Sequence, residues 1–371
     1  MQSLGRPGGR PKDPELKKLL SEFVCVRVVQ MWGIDLERFQ IDRVMTWAVF
    51  FLNADGTIYG RYGTRSSMGQ GSDSEISLAG FKQSMTAALD EHARFGKDPE
   101  ATRKEVAGKQ SVHKPRWARP EKIPTLARNE FNAKPFREFS DKPGLRAHGV
   151  GCIHGHMVQS AEIMSLRELG QPVPDRKVWP YPMPWAVGLH MEPETRSTIK
   201  RVVGNTVAEE AGLRAGDTIE KLDGQSILST ADIQWILHYA KDNAALKVHY
   251  TRGSEALEST LKLSPDWRQK LGDWRFTNLG ICMQLAGFNG RPGKGGGKSL
   301  AIRVGLIHRK RLAGIDLKRN DVIVALDGKS ESMNLGQLTR FLLDKKPGSE
   351  LSVTRKRAGE ETTTLRWKLH K

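Results

Sequence analysis

Cysteine is scarce: Cys25, Cys152 and Cys282 are the three in 371 residues, each more than a hundred positions from the next. That spacing excludes a disulfide framework and a four-cysteine zinc site, and it leaves the redox compartment open. No apolar run reaches the ~18 residues of a membrane-spanning helix, so no transmembrane span is predicted. The opening residues, Met1 to Lys18, mix glycine, proline and charge without an apolar stretch. No secretory leader is therefore predicted there, although a leader trimmed off earlier would leave the same sequence. What is present is a globular balance of 38% hydrophobic and 27% charged residues. At about 150 residues per domain the length predicts two or three domains.

Charge is lopsided. The formal net charge is +17, which favours acidic partners, nucleic acid among them. From Ser264 onward there are 22 basic and 10 acidic residues, so +12 of the +17 falls in the last part of the chain. A solvated basic surface accounts for the same numbers.

One internal repeat is visible. Leu213-Arg-Ala-Gly-Asp-Thr-Ile-Glu-Lys-Leu-Asp-Gly224 aligns with Leu317-Lys-Arg-Asn-Asp-Val-Ile-Val-Ala-Leu-Asp-Gly328 at an offset of 104 residues. That is a domain length, not a solenoid period, so two copies of one globular module are expected. Upstream of each block stands Gly-apolar-x-Met: Gly188-Leu189-His190-Met191, and Gly280-Ile281-Cys282-Met283. Downstream, Asp-Gly predicts a tight turn. An amphipathic helix follows, with Ile233, Ile236, Leu237 and Ala240 on one face in the first copy, and Leu335, Leu338, Phe341 and Leu342 in the second. Strand pairs close each unit, Leu246 to Tyr250 with Leu257 to Leu263, then Leu351 to Thr354 with Thr362 to Leu369.

The N-terminal third reads differently. Phe23 to Met31 and Trp47 to Leu52 are nearly continuous apolar runs, predicted as strands buried on both faces. Asn53-Ala-Asp55-Gly56 is a turn, Thr57 to Tyr62 its returning strand, and Phe81, Met85, Ala88, Leu89 and Ala93 share a helical face after a cap at Ser77. From Gly96 to Pro184 prolines recur and apolar runs are few, which predicts an extended connector with one helix over Val158 to Leu169. The expected layout is a flexible start at 1–19, domains at 20–96, 184–265 and 266–371, and the connector at 97–183.

The tetrad Gly-Leu-His-Met, with Ala208-Glu-Glu-Ala211-Gly212-Leu213-Arg-Ala215-Gly216-Asp217-Thr-Ile219 and Leu222-Asp223-Gly224, resembles a PDZ domain of the bacterial protease-associated type. The second copy is similar, with Ala313-Gly314-Ile315 and Asn320 in place of the glycine. The resemblance covers about half the chain and implies two partly open β-barrels, each capped by a helix, that receive an extended peptide as an added strand. It implies that backbone N–H groups of Leu189, His190 and Met191, and of Ile281, Cys282 and Met283, hold a terminal carboxylate beside Gly188 and Gly280. Leu237 and Leu342 would then face the last peptide residue, and Thr230 and Leu335 the one two before it. The partners so implied are protein C-termini or extended segments with an apolar last residue. Similar modules accompany serine proteases, but no Gly-x-Ser-x-Gly occurs and nothing ahead of the repeats resembles a protease barrel.

Phe23-Val-Cys25-Val-Arg-Val-Val-Gln-Met31 with Trp47 to Tyr62 resembles thioredoxin-like α/β domains joined to PDZ modules. The expected architecture is therefore α+β and multidomain: a thioredoxin-like domain, a proline-rich connector and two PDZ-like modules. Dithiol exchange needs a second cysteine near Cys25; Val28 stands there, and Met45 occupies the family's cis-proline position, so the domain is expected to be redox-inactive. The enzyme-class alternative is a thiol- or metal/haem-dependent redox protein that uses a lone thiol at Cys25 or the cluster of Cys152, His154 and His156. His148, Cys152, His154 and His156 gather within nine residues, a metal-ligand composition. In Cys152-Ile153-His154-Gly155-His156 a glycine stands where haem attachment needs a second cysteine. Gly293 to Ser299 has Pro292 where a phosphate loop needs glycine, and reads as a flexible basic insertion. No cofactor is expected, and the leading expectation is a non-catalytic peptide-binding scaffold.

Overall fold

The computed structural model describes residues 13–28, 30–45, 47–63, 75–110, 113–128, 153–270, 275–292 and 298–370. The chain forms two compact units, Met1–Pro120 with Tyr181–Trp267, and Glu121–Pro180 with Arg268–Lys371. Among the described residues no helix is long and apolar enough to cross a membrane.

In the first unit, helix α1 (Pro14–Ser21) starts where the Asp13 carboxylate accepts from the Leu16 N–H at 2.8 Å. Strands β1 (Val49–Leu52) and β2 (Ile58–Tyr62) form an antiparallel hairpin. Helix α2 (Leu78–Lys97), capped by Ser77 as expected, buries Phe81, Met85 and Ala88 against Phe51, Tyr59 and Tyr62. Helix α3 (Pro99–Glu105) follows.

The expected strand at Phe23–Met31 is corrected by the structure. Residues 24–28 have no regular structure, and Val24, Val26 and Val28 are 95%, 83% and 61% exposed. A strand exists only with a neighbour, and the sheet here has two strands, β1 and β2. The sheet of a thioredoxin-like domain is therefore not assembled among the described residues of this segment. Cys25 lies on the exposed run, its Sγ 3.8 Å from the Leu20 carbonyl.

Among the described residues, the proline-rich middle forms short helices where an extended connector was expected. Helices α4 (Pro124–Ala127), α5 (Gly155–Glu168) and α6 (Asp175–Val178) belong to the second unit. α5 is the predicted Val158–Leu169 helix begun three residues earlier, and it is buried nearly all round. The Thr125 hydroxyl donates to the Ala161 carbonyl at 3.0 Å, and Arg167 Nη1 to the Leu343 carbonyl at 2.8 Å, while Arg167 Nε and Nη2 are buried without a hydrogen-bond partner among the described residues.

From Tyr181 the chain builds the first repeat. A 3-10 turn, Pro184–Val187, leads into β3 (Leu189–Met191), which pairs with β4 (Ile199–Val202). Helix α7 (Val207–Glu210), strands β5 (Thr218–Leu222) and β6 (Gln225–Ser226), helix α8 (Thr230–Tyr239) and the hairpin β7 (Ala245–Arg252) and β8 (Glu255–Lys262) complete it, in sheet order β6-β5-β7-β8. Its core gathers Leu189, Ile199, Leu213, Ile219, Leu222, Ile233, Leu237 and Val248.

The last part repeats this scheme. Helix α9 (Phe276–Ala286) precedes β9 (Phe288–Pro292) and β10 (Ile302–Ile307); β11 (Val322–Leu326), helix α10 (Leu335–Leu343), β12 (Glu350–Lys356) and β13 (Thr363–Lys368) follow, giving one sheet β13-β12-β11-β10-β9. The Gly216 N–H donates to the Ile199 carbonyl at 2.8 Å, and the Asn320 N–H to the Val304 carbonyl at 2.9 Å. Both residues are left-handed, at φ +91° and +72°, so asparagine replaces glycine where that conformation is needed. Likewise Asp223 donates its N–H to Lys247 O at 2.7 Å and Asp327 to Ser352 O at 2.8 Å.

A buried aspartate also recurs. Asp217 bonds Arg252 Nε at 2.7 Å, and Asp321 bonds Arg357 Nε at 2.7 Å. In the second repeat the cluster extends to Asp316, Arg355 and Glu360. The Arg357 guanidinium, chiefly, holds the Asp316 carboxyl down at about 2 from 3.8. A depressed folded value gives stability that is complete above the unfolded value and lost as pH falls through the folded one. Thermal midpoints should therefore drop as pH is lowered from about 4 to about 2, and Asp316→Asn should make that drop shallower in melts run across this range.

Candidate functional site

The site expected in the first repeat is the edge of β3 beside α8. Val203 donates its N–H to the Gly188 carbonyl at 2.9 Å, and Glu192 to the Thr198 carbonyl at 2.8 Å. In an antiparallel pair alternate residues face the partner. Gly188, His190 and Glu192 therefore face β4, and Leu189 and Met191 turn their N–H and C=O groups to the other edge, where no strand pairs among the described residues. Gly188 is left-handed at φ +92°, and a Cβ there would lie 2.0 Å from Thr206 Oγ1. Only glycine allows this close turn.

His190 is half-buried, its Nε2 2.8 Å from Arg201 Nη2. Burial, and then the Arg201 charge, lower its pKa. Since the guanidinium can only donate, His190 accepts and is neutral in this arrangement.

Thr230 opens α8 just after its Ser229 cap. It lines a small depression together with Tyr62, Glu75, Pro193, Thr195 and Arg196. Burial raises the Glu75 pKa. Leu237 is fully buried in the core.

The rest of α8 is covered by the chain's own residues. Spacing of four and three places Thr230, Gln234 and Leu237 on one face. Gln234 Nε2 donates to the Tyr181 carbonyl at 3.0 Å, and the Tyr181 N–H donates to His238 Nδ1 at 3.2 Å. The Tyr181 and His238 rings stack, centroids 4.0 Å apart and 13° from parallel. Leu189 is 0% exposed.

The opposite face of α8 holds the N-terminal hairpin. Asp232 accepts from the Arg61 N–H at 3.1 Å and the Leu228 N–H at 2.9 Å, and lies 3.4 Å from Lys109 Nζ. The Arg61 guanidinium sits 3.8 Å above the Trp235 ring.

In the second repeat the expected tetrad is corrected. Gly280, Ile281, Cys282 and Met283 lie inside α9, so their N–H groups serve the helix ladder and cannot receive a carboxylate. Burial pushes the Cys282 thiol up to about 12. The counterpart of Gly188 is Gly287, left-handed at φ +75°, followed by Phe288 at the start of β9; the His308 N–H donates to its carbonyl at 2.7 Å, as Val203 does to Gly188.

The misplacement has a readable cause. From glycine to the leucine that opens the repeated block is 25 residues in the first repeat (Gly188 to Leu213), against 30 from Gly287 and 37 from Gly280 to Leu317. Leu335 and Leu342 are buried on α10. Thr339, between them on that face, has its Oγ1 3.7 Å from Cys282 Sγ of α9.

Opposite signs are expected at the two glycines. Gly280→Ala, whose Cβ would meet Ser160 Oγ at an ordinary 3.5 Å, should gain about 0.5–1 kcal/mol in the helix. Gly287→Ala, with Leu312 Cγ at 3.0 Å and a left-handed backbone, should lose about 1–2 kcal/mol. Urea unfolding of both variants checks this.

His148 and Cys152 fall outside the described residues. His154 and His156 stack with centroids 5.7 Å apart. Among the described residues no group of three or more His, Cys, Asp or Glu side chains is placed to hold a metal ion.

A left-handed glycine, a short strand with one edge unpaired by any strand, and a helix alongside are the parts of a strand-addition receptor. The family model that matches is the PDZ domain, over residues 186–263. Residues 186–263 form a PDZ domain. A relative sharing it is the HhoA protein of Synechocystis sp. (strain ATCC 27184 / PCC 6803 / Kazusa), whose name describes a candidate serine protease. It is 41% identical over 64 residues, 17% of this chain and 16% of that protein. The chain thus covers a small part of its relative's length.

Proposed function

We propose that the protein is a non-catalytic protein-binding scaffold with two PDZ-like repeats, in which the first is the peptide receptor and the second serves structure. The observation that carries this reading is the edge of β3: Leu189 and Met191 turn backbone groups away from β4, and both share one core with Leu237 of α8. A peptide entering there adds a strand to β3. Buried Leu237 and Leu189 favour an apolar C-terminal residue.

The second repeat reads as structural because α9 lies against α10 on the face that carries Thr339. The shared hydrogen-bond scheme supports common descent of the two repeats without a shared ligand.

The test uses the whole chain and labelled octapeptides with a free C-terminal Val, Leu, Ile or Phe. Saturable binding is expected, lost on C-terminal amidation. Thr230→Arg, at a position that is 8% exposed, should weaken it about tenfold, or about 1.4 kcal/mol, in a variant whose cooperative melt shows that it is folded. Absence of binding to every such peptide by a folded chain would overturn the receptor reading.

A further inference from the structure

The groove of the first repeat is not empty. We infer that Tyr181 is a built-in latch on the receptor groove: the chain's own residue occupies the helix face that a peptide must reach, and ligand binding requires its release. The inference rests on the receptor reading above and adds regulation of that site.

Geometry carries it. Gln234 lies midway between Thr230 and Leu237, the two positions that flank an incoming peptide. Instead of facing solvent, it donates to the Tyr181 carbonyl at 3.0 Å. One turn on, His238 accepts the Tyr181 N–H at 3.2 Å and stacks on its ring. Both backbone groups of one residue are thus held by two side chains of α8, as an added strand's would be held by β3. Tyr181 is 8% exposed and Leu189 beneath the loop is 0% exposed.

Two further observations point the same way. Tyr181 is at φ +44°, a left-handed conformation that is strained for a bulky residue and persists where surroundings impose it. That stored strain favours release. The second repeat uses the same device in a fixed form. Thr339 corresponds to Gln234, and its neighbour there is Cys282 of α9, again from the segment just upstream of the glycine turn. There the occupant is a helix that buries Ile281, Cys282, Leu285 and Ala286, whereas in the first repeat it is the single residue Tyr181, held on α8 by Gln234 and His238. The first groove is releasable and the second is closed.

A latch lowers apparent affinity by the fraction of molecules that are open. The experiment is fluorescence anisotropy of fluorescein-labelled octapeptides ending in a free Val, Leu, Ile or Phe, with the full chain and with Tyr181→Gly. Glycine removes the ring and relieves the left-handed strain, so the variant should melt as cooperatively as the parent. Binding about tenfold tighter in Tyr181→Gly is expected. Equal affinity in both would overturn the latch and leave the receptor reading standing. No binding to either folded protein would overturn the receptor reading itself. If Tyr181→Gly does not fold, hydrogen exchange on the parent decides. Saturating peptide should speed exchange of the Tyr181 amide, and slowed or unchanged exchange would overturn the latch.

Discussion

Asp232→Ala is expected to be the most damaging single substitution in the first unit, lowering stability by about 3–5 kcal/mol. The carboxylate is 1% exposed, and Arg61 and Lys109 beside it are 0% exposed. Burial lowers the pKa of both cations, and the Asp232 charge acts against that shift in each. Taking the carboxylate away leaves two buried positive charges and orphans the Arg61 and Leu228 N–H groups. The Ser229 hydroxyl donates to the Arg61 carbonyl at 2.5 Å, and Trp235 Nε1 to the Gly108 carbonyl at 2.8 Å, so the loss should detach the N-terminal hairpin from α8. Denaturant unfolding measures it. Adding Lys109→Met should recover part of the loss, because one uncompensated charge goes with it; a loss under about 1 kcal/mol for Asp232→Ala would mean the pair is solvated.

Gly188→Ala is the second large effect, expected at about 2–5 kcal/mol. A left-handed alanine costs roughly 1–2 kcal/mol and forced overpacking roughly 1–3. Thr206 cannot move aside cheaply, since its hydroxyl donates to the Val203 carbonyl at 2.7 Å. Peptide binding should fall with the fold of the loop. Thr206→Ala in the same chain should return the overpacking part and leave the left-handed part. Midpoints of urea unfolding for the single and double variants separate the two, and an unaffected Gly188→Ala would contradict the turn described.

What the sequence made legible was local. The Leu-Asp-Gly blocks were readable because Asp223 and Gly224, like Asp327 and Gly328, have positive φ, and Asp-Gly suits that geometry. The cap at Ser77 is equally short-range. The apolar run from Phe23 misled because a strand's composition does not supply its partner strand. Helix α9 was hidden by Gly280 inside an apolar segment, which matched the tetrad by residue type alone.

Burial of Arg61 and Lys109 was not legible, since the aspartate that compensates them lies 171 and 123 residues away. The covering of α8 by Tyr181 was beyond reach for the same reason: Gln234 and His238 are ordinary helix residues until the fold brings Tyr181 between them.

The claim on which the account turns is that the first repeat binds extended peptide along β3. A transverse-relaxation-optimised amide titration of the intact 15N-labelled chain with a free-carboxylate octapeptide addresses it most directly. Saturable shifts centred on Leu189, Met191 and Thr230, with movement at Tyr181, are the expected result. Shifts confined to other surfaces, or none at saturating peptide, would contradict it.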